Sequence, residues 1–353
     1  MKCFLISNMY PSVDNPGYGV FIKNIEDGLN QYGCRVVCKS VIKGRGSNIV
    51  SKILKYLSFF VGIIINYFKS YDFIYLHYPT YSSPILYLLL KIKKTKIVVN
   101  YHGEDLLYDD NYYATFLGRI ADALTKKYSS LVVVPSQYYK DIVIQRELKR
   151  LDDIYISPSG GISSAIFYPL KTTKKNELVV GYVGRLQDDK GVIEYILACK
   201  NVMKEINIKA YIIGYGPLLE TVKQQIVGDN QFELIEGVDQ RQLALYYNLF
   251  DIFCFPSKRK TESLGLVGLE AMACGIPVIG TNIGGIPTYL ENLYNGYVIS
   301  LEGLIDNISN SILRYYYLDK IKKDRMMENC VKTAEWYSQD QVILRLVEQF
   351  KKI

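Results

Sequence analysis

Two carboxylates and two cations in the C-terminal half of the chain are spaced so that they could bind a ligand with a charged centre and hydroxyl groups at its ends. Glu262 and Glu270 are eight positions apart, and Arg185 and Lys190 lie in a separate glycine-bearing segment. A guanidinium, an ammonium and free backbone N–H groups bind a diphosphate, whereas carboxylates accept hydrogen bonds from sugar hydroxyls. The four side chains could therefore hold a nucleoside diphosphate and a sugar at once.

A buried strand followed by a loop is predicted to position the two cations. Residues 178–183 are few, apolar and rich in β-branched side chains, and a helical pattern begins after Lys190. Arg185 and Lys190 therefore lie on a strand-to-helix loop, and ligands of parallel α/β sheets bind where strands end and helices begin. The alternative is an ordinary pair of exposed basic residues on a solvated turn, which this loop alone does not exclude.

A second strand-to-helix segment is predicted to position the two carboxylates. Residues 251–257 form a strand and its exit, and residues 264–274 have helical apolar spacing. Glu262 then precedes the helix and Glu270 lies inside it. At helical spacing the two would be about 12 Å apart, close to the distance from a ribose to a sugar across a diphosphate. We expect Glu270 to accept hydrogen bonds from ribose hydroxyls and Glu262 from sugar hydroxyls.

The start of this helix is expected to favour an anion. A helix N-terminus has free backbone N–H groups and a partial positive charge, and the sequence places it at Ser263, Leu264 and Gly265, just after three basic residues at 258–260. The alternative is that Glu262 only caps the helix and that Glu270 is a helical residue with no related role. Because a carboxylate on an otherwise apolar helix is costly unless it is paired, a ligand role for Glu270 is favoured.

Two of these motifs resemble those of a known enzyme family. The segment from Gly184 to Gly191 and the spacing of Glu262 and Glu270 resemble the retaining, nucleotide-sugar-dependent glycosyltransferases of the GT-B fold, family 4. Further stretches resemble glycine- or proline-bearing segments of the same family, at residues 159–169, 212–217 and 281–287. The resemblance covers nearly the whole chain, is strongest from 178 to 300 and is weakest in the first domain.

The resemblance implies a fold and a role for each of these residues. The fold would be GT-B, an α/β fold with two doubly wound, Rossmann-like domains that face a cleft. Arg185 and Lys190 would hold the diphosphate of the donor and act in catalysis, as would Glu262 at the donor sugar, while Glu270 would contact the ribose. No metal and no cofactor are expected, because the two cations can take the place of a metal ion. A UDP-sugar is expected as donor in preference to a GDP-sugar.

In the first half of the chain the resemblance points to a histidine and two glycines. His102 ends the predicted strand at 97–102 and matches the active-site histidine of the family, while Gly17 and Gly19 resemble its glycine loop beside the transferred sugar. The chain has only two histidines, and a lone histidine is more often structural than functional. The other one, His77, also ends a predicted strand and is expected to support the site at most.

Two departures from the family pattern affect the donor site. Pro287 is followed by Thr288, where the family usually has a glutamate. The segment between the domains has Ser159 where the family usually has an asparagine, and Ser163 or Ser164 where it usually has an aspartate. Both departures leave the class of reaction intact and make the identity of the donor harder to infer.

Strand-like and helical runs alternate along the chain, six strand-like runs in each half, which predicts parallel sheets built from βαβ units. The expected domains are an acceptor-side domain at 1–165 and a donor domain at 166–330, followed by a C-terminal helix at 331–353 that returns to the first domain. The polar, proline- and glycine-bearing segment 158–176 is the expected joint. The single tryptophan, Trp336, is expected to anchor the terminal helix by packing.

Charge and composition narrow the class of partner. Residues 1–165 contain 20 Lys and Arg against 13 Asp and Glu, so the whole net charge of +7 lies in the first half. Such an excess could face an anionic membrane, a phosphorylated acceptor or a nucleic acid, and a nucleic acid is not expected because no binding motif is present. Scattered cysteines and the lack of a secretory segment predict a cytoplasmic protein, placed at the inner face of a membrane.

An apolar run from Leu57 to Phe68 is flanked by Lys52, Lys55 and Lys69. The run is shorter than the roughly 20 residues needed to cross a bilayer. One interpretation is a buried helix of the first domain, and the other is a helix that docks on a membrane surface through its aromatic and basic edges. The two interpretations are not exclusive.

The sequence therefore predicts a retaining hexosyltransferase that moves a sugar from a nucleotide sugar to a sugar or lipid-linked sugar acceptor, in bacterial cell-surface polysaccharide or glycolipid synthesis. The main alternative is a non-catalytic nucleotide-sugar-binding subunit of a glycosyltransferase complex. A 2-epimerase acting on nucleotide sugars and a membrane-peripheral scaffold are weaker alternatives. Release of nucleoside diphosphate that depends on an acceptor is expected only from the transferase.

Overall fold

The computed structural model describes residues 1–15, 17–46, 48–103, 105–107, 112–170 and 177–353, with no side chains at 112–114. The chain divides into two units, which we call unit 1 (Met1–Gly161 and Gln339–Ile353) and unit 2 (Ile162–Ser338). The boundaries expected after residues 165 and 330 therefore lie near those of the structure, after Gly161 and Ser338, but do not coincide with them.

Unit 1 is a six-stranded parallel sheet with helices on both faces. Its strands are β1 (Lys2–Tyr10), β2 (Arg35–Lys43), β3 (Phe73–His77), β4 (Lys96–Asn100), β5 (Ser129–Val134) and β6 (Ile154–Ile156), in the spatial order β2-β1-β3-β4-β5-β6. Its helices are α1 (Val20–Gln31), α2 (Ile49–Tyr67), α3 (Pro79–Ile92), α4 (Tyr112–Tyr128), α5 (Gln137–Gln145) and, from the C-terminus, α12 (Gln339–Phe350).

Unit 2 repeats this architecture. Its strands are β7 (Leu178–Val183), β8 (Ile208–Ile213), β9 (Phe232–Ile235), β10 (Ile252–Phe255), β11 (Val278–Thr281) and β12 (Gly296–Ile299), in the order β12-β11-β10-β7-β8-β9. Its helices are α6 (Val192–Val202), α7 (Leu219–Ile226), α8 (Gln240–Tyr247), α9 (Leu266–Ala273), α10 (Leu304–Tyr316) and α11 (Lys320–Trp336). The prediction of two doubly wound, Rossmann-like units is confirmed.

Each sheet has a point at which the strand order reverses, and loops diverge there at the carboxyl ends of the strands. In unit 1 the reversal lies between β1 and β3, and in unit 2 it lies between β7 and β10. In open parallel sheets, ligands bind at such points because the loops leave to opposite faces and open a crevice between them. Each unit therefore has a defined edge at which functional side chains can gather.

The C-terminal helix completes the core of unit 1. Ile343, Leu346, Val347 and Phe350 of α12 are buried with side chains of β1 and α1, and the ring of Phe350 lies 4.9 Å from that of Phe73. The helix begins at Gln339, later than the expected residue 331, because α11 ends at Trp336. Trp336 is 68% exposed, so the expectation that it anchors the helix by packing is wrong, and Phe350 fills that role.

Helix α2 is only partly buried. It extends over 19 residues, and Phe59, Ile63 and Tyr67 are its buried side chains. Most of its other apolar side chains are exposed: Ile49, Val50, Ile53, Leu54, Leu57, Val61, Ile64 and Ile65. By length and composition alone the helix could cross a membrane, and 11% of its apolar window is buried. The expectation that the apolar segment is too short to cross a bilayer is therefore wrong. Only the face of the helix with Phe59, Ile63 and Tyr67 is buried.

Candidate functional site

The loops after β7 and β10 in unit 2 pack against each other through backbone atoms. Gly191, at the end of the first loop, has a left-handed backbone (φ 71°), and a Cβ built there would lie 2.2 Å from the carbonyl oxygen of Pro256. Lys258 N–H donates to the carbonyl of Asp189 at 2.7 Å. Only glycine combines this conformation with so close an approach. The two loops therefore hold Arg185, Lys190 and Glu262 at one edge of the sheet.

Two of the three basic residues before Glu262, Lys258 and Arg259, tie these loops together through ion pairs. Lys258 pairs with Glu194 at 2.7 Å and with Asp188 at 3.1 Å. Arg259 lies 3.9 Å from Asp189. The expected addition of positive charge at residues 258 and 259 is therefore offset by carboxylates on the facing loop and helix.

Lys190 and Glu262, each expected to contact a ligand, are bonded to each other. Lys190 Nζ donates to Glu262 Oε2 at 2.5 Å, and Ser257 Oγ donates to the same oxygen at 2.8 Å. Their side chains are 18% and 11% exposed, respectively, so the pairing offsets the cost of removing both charges from water. Arg185 is exposed, and no ion pair links its guanidinium to any residue in the described part of the chain. Of the two cations predicted to bind the diphosphate, Arg185 is thus the one whose charge is not offset by a carboxylate of the described residues.

Helix α9 begins later than the sequence predicted. Its first residue is Leu266, and Gly265 caps it with a left-handed backbone (φ 77°) packed against the ring of Phe255. Ser263 and Leu264 precede the helix, so their N–H groups are not those of its first turn, and the side chain of Leu264 is buried in the core. Because Glu262 lies outside the helix, the spacing estimated for two helical glutamates does not apply.

A glycine pair after β11 supports the same segment. Gly285 N–H donates to the carbonyl of Glu262 at 2.8 Å, and a Cβ built on Gly285 would lie 2.0 Å from the carbonyl oxygen of Ser263. A Cβ built on Gly284 would lie 2.5 Å from the carbonyl oxygen of Glu262. Thr288, which departs from the family pattern, lies in the short 3₁₀ helix that follows. The segment that begins at Glu262 is therefore held by the loop after β11 as well as by the bonds of Glu262 to Lys190 and Ser257.

Glu270 lies inside α9 and is 9% exposed. Its Oε2 accepts a hydrogen bond from the Tyr247 hydroxyl at 3.2 Å. Burial raises the pKa of Glu270 to about 7, although the tyrosine bond acts in the opposite direction. The helical position agrees with the prediction, but Glu270 already has one protein partner. A ligand that donated hydroxyl groups to this carboxylate would favour its ionised form.

In unit 1, Gly17 and Gly19 were both predicted to lie at the site, but the packing around them requires a glycine at only one of the two positions. Gly19 is buried with a left-handed backbone (φ 68°), and a Cβ built there would lie 2.7 Å from the carbonyl carbon of Met9. Gly17 is exposed and has no neighbouring atom within 4 Å of such a Cβ. Both lie in the loop between β1 and α1, at the reversal of the sheet order. Packing therefore explains Gly19 but not Gly17.

His102 follows β4 and is 9% exposed. Its Nε2 lies 2.9 Å from Nδ1 of His77, at the end of β3, and its ring stacks on that of Tyr78 with centroids 4.5 Å apart. Burial lowers the pKa of His102 to about 3, so its ring is neutral at neutral pH. Asp105 accepts hydrogen bonds from the backbone N–H groups of His102 at 2.9 Å and Gly103 at 2.8 Å, which holds the turn after the strand.

Sequence reasoning did not single out several of these partners. Ser257 is the last residue of the predicted strand exit at 251–257, which was a usable signal for a loop residue at the site. Tyr247 lies 23 positions before Glu270 on another helix, and no local pattern predicts that contact. No local pattern predicted the stacking of Tyr78 on His102 either. Among the residues that the structure describes, no three or more His, Cys, Asp or Glu side chains cluster as metal ligands would.

Comparison with known proteins relates unit 2 to a family. Residues 169–333 match the family described as Glycosyl transferases group 1. The chain is 27% identical over 250 residues to N-acetyl-alpha-D-glucosaminyl L-malate synthase of Bacillus anthracis, covering 65% of this chain and 61% of that protein. It is 34% identical over 187 residues to the capsular polysaccharide biosynthesis glycosyltransferase CapM of Staphylococcus aureus, covering 48% and 47%. The matches thus span about half to three fifths of these curated relatives.

Comparison with solved structures relates the whole chain to a fold. Anabaena HepE in complex with UDP superposes with a TM-score of 0.76 at 17% sequence identity, covering 100% of both chains. At this identity the likeness shows the fold alone, which is the GT-B fold expected from the sequence. Residues 169–333 are therefore a Glycosyl transferases group 1 domain, in a chain whose two parallel-sheet α/β units have the fold of GT-B glycosyltransferases.

Proposed function

We propose that this protein is a retaining glycosyltransferase that moves a sugar from a nucleoside diphosphate sugar to an acceptor hydroxyl. The proposal is carried by the gathering of Arg185, Lys190 and Glu262 on two interlocked loops at the strand-order reversal of unit 2. An exposed guanidinium and a second cation suit a diphosphate, and Glu262 suits the hydroxyls of the sugar beside it. Glu270 is proposed to receive the ribose, and the backbone at Ser263, Leu264 and Gly265 to lie along the donor.

In this reaction the bond between the anomeric carbon and the diphosphate oxygen breaks, and a bond to the acceptor oxygen forms on the same face of the sugar. The proton of the acceptor passes to an oxygen of the departing diphosphate. Negative charge grows on the diphosphate, and Arg185 and Lys190 stabilise it electrostatically, with no metal ion required. An ammonium has three donors, so Lys190 can keep its bond to Glu262 while it donates to a phosphate oxygen.

We propose a UDP-sugar as the donor and an acceptor that is a sugar or a lipid-linked sugar. UDP is supported by the solved complexes of Anabaena HepE with UDP and with UDP-glucose, which shares the fold. A role in cell-surface polysaccharide or glycolipid synthesis is supported by the similarity to CapM, a capsular polysaccharide biosynthesis glycosyltransferase. His102, with Gly17 and Gly19, is proposed to act beside the transferred sugar. No resident cofactor forms part of the proposal.

The function is tested first by nucleotide choice and then by turnover. UDP, GDP and ADP are compared by thermal shift, and sugars on the preferred nucleotide are then incubated with a panel of simple and lipid-linked sugar acceptors. We expect UDP to give the largest shift and UDP release to require an acceptor. A chelator is expected to leave the rate unchanged, and NMR of the product to show the anomeric configuration of the donor.

The main alternative is a non-catalytic nucleotide-sugar-binding subunit. It predicts binding of the nucleotide sugar without release of nucleoside diphosphate under any acceptor in the panel, and that result would overturn the transferase. Inversion of the anomeric configuration would reject the retaining mechanism while leaving the class intact.

We further propose that the exposed apolar face of α2 rests on an anionic membrane at the cytoplasmic side. This face holds Leu57, Val61, Ile64 and Ile65, whose exposed fractions range from 45% to 61%. It belongs to the half of the chain with the whole net positive charge, and basic residues beside an apolar helix face attract anionic lipid. Because the opposite face of α2 is buried in unit 1, the helix would lie along the surface and not cross it.

Substitution on this face separates docking from burial. Leu57→Glu together with Ile64→Glu is expected to abolish co-sedimentation with vesicles of anionic lipid and to leave the melting temperature nearly unchanged, since both side chains are half exposed. The matched change Phe59→Glu, on the buried face, is expected to destabilise the protein strongly because it buries an unpaired charge. Unchanged vesicle binding of the double variant would reject the membrane contact.

A further inference from the structure

The two histidines of the chain form a directly bonded pair at the carboxyl end of the sheet in unit 1. His77 ends β3 and His102 follows the adjacent strand β4. The distance from Nδ1 of His77 to Nε2 of His102 is 2.9 Å, and the ring planes differ by 20°. A hydrogen bond between two ring nitrogens uses one proton, so the tautomer of each ring determines that of the other.

Burial leaves both rings neutral. His77 is fully buried and His102 is 9% exposed. Burial lowers the pKa of both rings, with a further contribution at His77 from its neighbour. Each neutral imidazole then has a single N–H. Either His77 donates from Nδ1 and the proton of His102 lies on Nδ1, or His102 donates from Nε2 and the proton of His77 lies on Nε2.

The surroundings of His77 distinguish these two arrangements. Its Nε2 is buried and has no hydrogen-bond partner among the described residues. The ring of Tyr75, with its centroid 4.1 Å away, offers at most a weak contact from an N–H to an aromatic face. A buried N–H without an acceptor is rarer in proteins than an acceptor that lacks a donor. The arrangement in which His77 donates from Nδ1 is therefore favoured.

We propose that His77 is a positioning residue that holds His102 in the tautomer with its proton on Nδ1. Nε2 of His102 is then occupied as an acceptor, and the opposite edge of the ring carries a hydrogen-bond donor. His102 consequently offers a donor to an oxygen of the ligand and cannot take a proton from the acceptor alcohol. The inference rests on the proposed function only in assigning that oxygen to the sugar or to its acceptor.

The residue after His77 restricts the plane of the same ring. Tyr78 has a left-handed backbone (φ 52°) without being a glycine, a strained conformation that persists only when its surroundings hold it. Its ring stacks on His102, and Phe21 lies against His102 with a centroid distance of 5.0 Å. The stacked rings thus hold the orientation of His102, and His77 sets its proton.

The presence of only two histidines makes the tautomer directly measurable. Protein labelled with ¹⁵N in histidine gives two ring systems in long-range ¹H–¹⁵N NMR spectra. The proposal predicts that both rings have their proton on Nδ1, whereas the opposite arrangement places both on Nε2. In His77→Phe the remaining ring is expected to become a mixture of tautomers. His77→Asn, whose amide N–H can replace Nδ1–H, is expected to restore the Nδ1 form.

Turnover tests the consequence for the reaction. His77→Phe is expected to lower kcat roughly 10- to 100-fold, by analogy with the loss of a residue that orients a metal-bound histidine, with little change in KM for the nucleotide sugar and partial recovery in His77→Asn. Tyr75→Phe is the matched control, since it removes a buried hydroxyl that accepts from Asn100 at 2.7 Å but keeps the ring beside His77. Its kcat is expected to stay near that of the unmodified protein.

Protons on Nε2 of both rings, or a His102 tautomer unchanged in His77→Phe, would overturn the proposal whether or not transfer is observed. If the tautomer of His102 changes in His77→Phe but kcat does not, His77 does not position His102 for the reaction, and its role as a positioning residue is rejected. If no variant or unmodified protein turns over any donor while the spectra agree, the proposed function fails and the tautomer assignment stands.

Discussion

Glu270 is a carboxylate buried in the middle of a helix, where it meets a single tyrosine hydroxyl. Burial raises its pKa to about 7 from 4.5, so in the folded protein it holds a proton that the unfolded chain has already released between pH 4.5 and 7. Stability then falls as pH rises through this window, because the folded state binds more protons there. The carboxylate is thus unfavourable for stability above pH 7, which is consistent with a role in binding.

Glu270→Gln is expected to raise the melting temperature at pH 8 and to have little effect at pH 4.5, because glutamine cannot ionise. The shift of the pKa corresponds to roughly 3 kcal/mol. Thermal melts at both pH values measure the effect, with the exposed Glu302→Gln as control. An equal fall in melting temperature at the two pH values would contradict the raised pKa.

Arg185 and Lys190 are both proposed to bind the diphosphate, but only Lys190 also supports Glu262. Arg185→Ala is expected to weaken UDP binding by about 1.5–3 kcal/mol, the value of a hydrogen bond to a charged group, without loss of stability. Lys190→Ala is expected to weaken binding similarly and also to lower the melting temperature, since Glu262 keeps only Ser257. Titration calorimetry and thermal melts measure both, and the exposed Arg241→Ala is the control. Unchanged UDP affinity in Arg185→Ala would reject the proposed diphosphate contact.

At the scale of elements, the binding loops of unit 2 depend on glycines that let backbones touch. Gly191 and Gly228 both have a left-handed φ, of 71° and 75° respectively. The Cβ of an alanine would meet the carbonyl of Pro256 at 2.2 Å in the first case and open space in the second. The pair separates the cost of the backbone conformation from the cost of separating the two loops.

Gly228→Ala is expected to cost about 1–2 kcal/mol, the penalty of a left-handed residue, and to leave UDP binding unchanged. Gly191→Ala is expected to cost a further 1–3 kcal/mol, roughly the cost of overpacking, and to weaken UDP binding because the loop with Arg185 and Lys190 moves. Denaturant unfolding and calorimetry measure the two effects. Equal behaviour of the two variants would show that the loops do not need their close contact.

At the scale of the whole molecule, the chain folds into two units, and its last helix belongs to the first of them. Phe350 is 1% exposed and contacts Phe73 and Tyr75 of unit 1, whereas the proposed nucleotide contacts all lie in unit 2. Phe350→Ala is expected to destabilise unit 1 by about 3–5 kcal/mol while the affinity for UDP, measured by calorimetry below the transition, stays within about twofold. A large loss of UDP affinity would show that nucleotide binding depends on the packing of unit 1.

The sequence could predict much of this molecule because its information is local. Short apolar runs alternating with helical patterns predicted six strands in each half, since side-chain periodicity reflects which face of an element is buried. Glycines and charged residues at strand exits placed Arg185, Lys190 and Glu262 on loops and His102 at a strand end, because parallel sheets expose functional side chains at the carboxyl ends of their strands. These inferences need only neighbours along the chain.

The tertiary structure decided what those residues touch. The pairing of Lys190 with Glu262, the tyrosine hydroxyl on Glu270 and the bond between His77 and His102 join positions 72, 23 and 25 residues apart. The tertiary structure also decided where α9 begins and that Trp336 is exposed. Contacts at such separations, and the desolvation that sets a pKa, arise only when the sheets bring distant loops to one edge, so no local pattern in the sequence contains them.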